Sequence, residues 1–267
     1  MPESHVLTRF APSLTGHLHI GHVAHLLWVF AAARASGADV LLRIEDHDRS
    51  RARPEYEDSI RADVDWLGFR FDQDVGRQSD DEAPYLAALD RLQRTTRVYG
   101  CDCSRKQIAA HSPLDHNGER IYSGRCRERG LPPEPPYAVR VELPGDPIGD
   151  IVVRDRSGQW TYQLAVVVDD LRQGVDLIVR GEDLEASTSR QITLGRLLGR
   201  ERPARFLHHP LLLDAQGQKL SKRSGAAAIA ERRHSGEPAA HLLGEALETT
   251  PLSLEEALKA CTARLPW

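Results

Sequence analysis

Cysteine is scarce, with four in 267 residues. That is too few for a disulfide scaffold, and the expected compartment is the cytoplasm, where thiols stay reduced. Long apolar runs are missing as well. No stretch approaches the roughly 20 apolar residues of a membrane helix, so no membrane association is expected. The opening MPESHVLTRF has no apolar core of a secretion signal. An excess of positive charge is also absent. The 35 basic and 39 acidic side chains leave a net charge of −4, which argues against indiscriminate nucleic-acid binding but allows a local basic patch. No internal repeat and no low-complexity tract is present. What remains is an ordinary globular composition, in a chain long enough for one large domain or two small ones.

The first 70 residues alternate between two periodicities. VLTRFAPS reads as a short strand over 6–10 that breaks into a turn at Pro12. GHVAHLLWVFAAARASG has apolar residues at helical spacing and ends at Gly37, where a helix C-cap favours glycine. DVLLRIED suits a buried parallel strand, and RPEYEDSIRADVDWLGF a second amphipathic helix with Pro54 near its start. This order predicts an α/β fold with a parallel sheet and ligands at the carboxyl ends of the strands. Residues 100–160 carry three of the cysteines among many Pro, Gly and Arg residues, with little helical periodicity, and read as an insertion with its own small core. Strand, helix and strand return with DLIVRGED, STSRQITLGRLLG and ARFLHHPLLL. DAQGQKLSKRSG is a glycine-bearing basic loop, and helical pieces follow from residue 226.

Three histidines fall within residues 17–22 of the stretch GHLHIGHVAHLL. Gly21 lets backbone approach a ligand, and the helix beginning there offers unpaired N–H groups and a positive dipole end, an anion site. His19 and His22 beside it can donate to a phosphate that gains charge in a transition state. Zinc fits these histidines poorly, since no glutamate or third ligand stands nearby at helical spacing. In QKLSKRSG, Lys219 and Lys222 flank Ser221 on a loop suited to a polyphosphate that leaves as pyrophosphate. Each motif also has a plain reading as solvated surface. Cys101, Cys103 and Cys126 could supply three thiolates to a tetrahedral metal site, with His111 or His116 as a fourth ligand. Cys261 reads as an ordinary buried thiol.

RFAPSLTGHLHIGH, LLRIEDHDRSR, IVRGEDLEASTSRQ and HHPLLLDAQGQKLSKR, in this order and spacing, resemble the glutamyl branch of the class I aminoacyl-tRNA synthetases. The resemblance covers roughly residues 5–225. It implies a Rossmann-like catalytic domain in two halves, 1–99 and 161–214. It also implies a zinc-containing insertion over 100–160, and a KLSKR loop with a short helical C-terminal region over 215–267. Only 44 residues follow Arg223, so no anticodon-binding domain is expected. That brevity, with TYQLAVVVDDLRQGVDLIVRGEDL and CDCSRKQI…YSGRCRERG, is similar to a truncated paralogous group in the branch. The acceptor of that group is the cyclopentenediol of queuosine in the anticodon of tRNA(Asp).

The resemblance assigns roles residue by residue. Arg9, Phe10, Ala11, Pro12, Ser13, Glu45, Tyr162 and Arg180 match glutamate-binding positions. Arg9 is suited to a bidentate carboxylate contact, and Glu45 to the substrate ammonium. His19, Gly21, His22, Lys219, Ser221 and Lys222 match the ATP site, with His19, His22 and Lys222 as the catalytic set and Mg2+ accompanying ATP. Cys101, Cys103, Tyr122 and Cys126 match a structural zinc site. QLAVVV alone would read as a strand, whereas the family has a helix after Tyr162. The implied reaction is attack of the glutamate α-carboxylate on the α-phosphorus of ATP, then transfer to a hydroxyl. A monomer is expected, and basic residues in SRKQ, RCRERG and SKRS are candidates for RNA phosphates. The competing readings are a shortened synthetase charging the tRNA 3′ end, another HxGH nucleotidyltransferase, and a non-catalytic RNA-binding paralogue.

Overall fold

The computed structural model describes residues 6–114, 118–214, 216–217, 220 and 227–267. Strands β1 (Leu7–Phe10), β2 (Asp39–Ile44) and β3 (Gln73–Arg77) form a parallel sheet in that order. β7 (Leu177–Gly181) and β8 (Arg205–His209) form a second parallel pair. The two sets meet where Asp176 N donates to Leu7 O at 3.0 Å, which lays β7 along the free side of β1. The chain therefore winds outward from β1 in both directions. Such a sheet opens a crevice beyond the carboxyl ends of its two central strands, here β1 and β7.

Helix α1 (Ile20–Ser36) is apolar on nearly every face, with ten of its residues buried, because it is covered on both sides. It packs on β1 and β7 below, and on α8 (Ala239–Glu245) and α9 (Leu254–Thr262) from the C-terminal region. Gly37 ends it at φ 62°, a left-handed C-cap. Pro54 opens α2 (Pro54–Trp66) in the first helical turn, where no backbone N–H is needed. The remaining helices are α3 (Ala83–Thr95), α4 (Arg105–His111), α5 (Tyr162–Arg172), α6 (Thr188–Leu197) and α7 (Ile229–His234). Among the described residues no helix is long and apolar enough to cross a membrane.

Between β3 and β7 the chain builds an antiparallel sheet of β4 (Val98–Cys101), β5 (Ala138–Val141) and β6 (Ile151–Arg154). β5 and β6 bury Val139, Val141 and Val153 in one core with α3, α5 and α6. A small separate cluster joins Tyr99, Cys101, Tyr122 and Cys126. One local expectation changes here, and the helix that the resemblance implies after Tyr162 is present. The stretch after Cys103 does contain a helix, α4, closed by a reciprocal Ser104–Gln107 cap; none of its residues is buried, so it carries no apolar periodicity. QLAVVV lies in helix α5. Its β-branched residues are buried on all sides, and tertiary packing overrides their strand preference.

Candidate active site

The turn after β1 is tied to the end of β2. Glu45 N donates to Pro12 O at 3.0 Å, Leu14 N donates to Glu45 O at 3.1 Å, and Ser13 pairs with Glu45 as an isolated bridge. Phe10 and Pro12 are buried, Ala11 is half-buried and Ser13 is exposed, with its Oγ 3.1 Å from Thr15 Oγ1. This pairing delivers the chain to the N-terminus of α1, where His19 is the N-cap. Gly21 N donates to His19 Nδ1 and His19 N donates to His22 Nδ1, both at 3.1 Å. Both Nδ1 atoms act as acceptors, so in each neutral ring the proton sits on Nε2. A Cβ on Gly21 would lie 2.9 Å from His19 Cε1, so glycine is needed to seat the ring. The rings are 4.0 Å apart. His17 turns away toward Ser59 Oγ (2.9 Å) and the ring of Tyr56.

His19, Gly21 and His22 line a cleft of about 240 Å³ whose opposite wall includes Arg180, Gly181, Asp183 and His209. A Cβ on Gly181 would lie 2.5 Å from Asp183 Oδ1 and 2.8 Å from Leu211 Cδ2, which explains the glycine in RGED. Leu220 also lines this cleft. Lys219, Ser221 and Lys222 lie outside the described residues.

Arg9, Glu45, Tyr162 and Arg180 converge at the carboxyl ends of β1, β2 and β7. The Tyr162 phenol lies in the fields of all three charged groups and of Asp170; burial, then Glu45, raise its pKa. Arg9 is buried, donating from Nε to Asp170 Oδ1 at 3.0 Å and from Nη1 to Val179 O at 3.3 Å. Glu45 is buried and accepts from Arg43 Nη2 at 3.0 Å. Arg180 is 3% exposed, yet it donates to neutral groups: Gln191 Oε1 at 2.6 Å, Thr188 Oγ1 at 2.7 Å and His208 Nε2 at 3.2 Å. Burial, with the like charge of Arg9, holds the Arg180 pKa below its ordinary value although Tyr162 opposes this. A buried cation among neutral partners is costly, and an anionic ligand would relieve it.

Beneath this site lies a set that sequence reasoning missed. Arg43, fully buried, donates from Nη1 to Asp170 Oδ1 and Gln173 Oε1, both at 2.8 Å, and lies 4.0 Å from Asp169. Burial works against charge on Asp170, but Arg9 and Arg43 outweigh it and hold its pKa low. The signals were an arginine inside the apolar strand LLRIE and two acids closing the apolar run VVVDD; charges at such positions need one another.

About the zinc candidates, the sulfur atoms of Cys101, Cys103 and Cys126 lie within 4.8 Å of one another. Cys103 and Cys126 Sγ are 3.5 Å apart, close to the edge of roughly 3.8 Å in a tetrahedron with 2.3 Å zinc–sulfur bonds. Tyr122 Oη is 3.4 Å from Cys101 Sγ and 3.9 Å from Cys103 Sγ, and Arg140 covers its ring at 3.5 Å. Burial opposes the Cys101 thiolate, but hydrogen bonds from Tyr122 and Arg140 outweigh it and bring the thiol to about 7. The donor set fits a soft divalent metal. His116 lies outside the described residues. Cys261 is buried against α1 in the main core.

The chain belongs to the class I tRNA synthetases for E and Q, whose catalytic-domain model matches residues 5–131 and 134–250. Within that class its relatives point to one member. It is 43% identical to the glutamyl-Q tRNA(Asp) synthetase of Geobacter sulfurreducens over 253 residues, covering 87% of this chain and 80% of that one. It is 37% identical to the protein of that name from Rhodobacter capsulatus, covering 86% and 96%. The fold matches the glutamate-tRNA synthetase of Elizabethkingia anophelis with a TM-score of 0.75 at 23% identity. This chain spans 65% of the length of that structure.

Proposed function

We propose that the chain activates L-glutamate with ATP and transfers it to queuosine in the anticodon of tRNA(Asp). The observation that carries this reading is Arg180, a buried guanidinium held by neutral partners beside Arg9, Glu45 and Tyr162. An acidic amino acid matches this set, its side-chain carboxylate on Arg9 and Arg180 and its ammonium on Glu45. The α-carboxylate then faces the cleft of His19 and His22. Its oxygen attacks the α-phosphorus of ATP and pyrophosphate leaves in line. The imidazole Nε2–H groups and Lys222, with support from Lys219 and Ser221, are assigned to the phosphates, whose charge must be neutralised. Magnesium bound with ATP supplies further charge neutralisation.

Cys101, Cys103, Cys126 and Tyr122 are assigned to one structural zinc, which would hold the segment between β4 and β5 closed when bound. The working division is two Rossmann-like halves, 1–99 and 161–214, a zinc insertion over 100–160, and a lysine loop with helices over 215–267. The proposed compartment is the cytoplasm and the proposed state a monomer. The names of the relatives support queuosine over the tRNA 3′ end as acceptor. The test is transfer of labelled glutamate to tRNA from matched strains with and without queuosine. Labelling of the queuosine-containing pool alone is expected; equal labelling of both pools would overturn the acceptor.

A further inference from the structure

Beside the cleft lies a second cavity, of about 440 Å³, that glutamate activation leaves unused. It opens between the loop after β2, the turn after β3, helix α3 and the turn from β6 into α5, and its volume suits a small organic ligand. Its walls carry charged and polar groups around two buried aromatic rings. Trp160 and Tyr85 stand 5.9 Å apart, and Trp160 donates from Nε1 to Glu82 Oε1 at 3.1 Å. Arg154 covers the indole at 4.7 Å, and Arg49 lies exposed at the rim. Gln159 Oε1 is buried without a hydrogen-bond partner among the described residues, an acceptor awaiting a donor. Cations for phosphate and an orphan acceptor, in a cavity of this volume, suit a nucleoside within a polynucleotide.

His47 joins this cavity to the glutamate site. Its ring centroid is 6.2 Å from that of Tyr162. Gln78 Nε2 donates to Asp169 Oδ2 at 2.7 Å, which turns the amide so that its Oε1 faces His47 Nδ1 at 2.9 Å. Nδ1 must therefore carry the proton, and Nε2 is the acceptor nitrogen of the neutral ring. Asp169 is fixed in turn by the Tyr85 hydroxyl at 3.0 Å and by Arg172 at 2.8 Å. An imidazole oriented by a chain ending in a buried carboxylate is the arrangement of a general base.

We infer that this cavity receives the acceptor nucleoside and that His47 takes the proton of its attacking hydroxyl. The inference rests on the glutamate-transfer reading. The hydroxyl oxygen bonds to the carbonyl carbon of glutamyl-adenylate, and the bond from that carbon to the phosphate oxygen breaks. AMP leaves with the electron pair, and the hydroxyl proton passes to His47 Nε2. The charged and titratable groups around the imidazole are Asp46, Asp48 and Arg49 on its own loop, Tyr162 on α5, Glu82 and Arg154 across the cavity, and Asp169 behind Gln78.

The test compares wild type, His47→Gln, His47→Asn and Arg154→Ala in two assays. These are glutamate-dependent pyrophosphate exchange and single-turnover transfer of glutamate to queuosine-containing tRNA, from about pH 5.5 to about pH 8.5. For His47→Gln, exchange should stay within about twofold and transfer should fall about 100-fold in kcat. Arg154→Ala should raise the tRNA KM and leave the transfer kcat close to wild type. Transfer by His47→Gln at the wild-type rate would overturn the inference and leave activation standing. Equal loss of exchange and transfer in both His47 variants would also overturn it, marking a structural role. Wild-type transfer to no tRNA would defeat the glutamate-transfer reading, and the inference with it.

Discussion

Arg9 Nε donates to Asp170 Oδ1 at 3.0 Å, and the same oxygen accepts from Arg43 Nη1 at 2.8 Å. One carboxylate thus aims the guanidinium assigned to substrate and neutralises the one beneath it. Asp170→Asn keeps the shape and removes the charge. We expect it to lower folding stability by about 3–5 kcal/mol, as when one partner of a buried ion pair is lost. The glutamate KM in pyrophosphate exchange should rise about tenfold with the ATP KM unchanged, since a charge-assisted hydrogen bond contributes about 1.5 kcal/mol or more. Chemical denaturation and exchange kinetics check both; an unchanged glutamate KM would refute the aiming role.

Gly21→Ala places a methyl 2.9 Å from His19 Cε1 and must displace that ring. The variant should lose pyrophosphate exchange to about the same extent as His19→Ala, roughly 100-fold or more if the ring serves the developing phosphate charge. Its melting temperature should stay close to wild type, because alanine is well tolerated in a helix. Kinetics on both variants, with melting curves, decide the matter.

Metal analysis of the purified chain should find about one zinc per molecule, as a single tetrahedral ligand set implies. Cys103→Ser should abolish retention. Tyr122→Phe, which keeps all three thiolates, should weaken binding without abolishing it. A fully active protein free of zinc would contradict the assignment.

His208 Nε2 accepts from Arg180 Nε at 3.2 Å, which requires an unprotonated nitrogen. Burial, then the Arg180 charge, hold its pKa below the ordinary 6.5. The folded chain thus resists a proton that the unfolded chain accepts. This contribution to stability is complete above the unfolded value and is lost progressively as pH falls below about 6.5. Melting temperatures should drop as pH is lowered from about 7 toward 5.5, and His208→Gln should show a shallower drop across that range.

The parallel strands and their helices were legible because each carries a local signature, such as the apolar run of DVLLRI or the glycine stop at Gly37. The motif residues His19 and His22 were legible because a turn before a helix is a local event. Arg43, Asp169 and Gln78 were not, because each matters only through a partner far along the chain: Asp170 for Arg43, Tyr85 for Asp169, and His47 for Gln78. Helix α4 escaped for the opposite reason. It buries nothing, and only its Ser104–Gln107 cap marks it. Gly21 was understood as room for a ligand; the space is taken by the His19 ring.

β1 and β7 touch only in the finished sheet; Arg9 reaches the carbonyl of a residue 170 positions later. A molecule bridging their ends therefore acts as a staple between the beginning of the polypeptide and a strand that emerges from the ribosome much later. Its grip adds to the stability of the entire sheet, about 2.7 kcal/mol at a hundredfold excess over its dissociation constant.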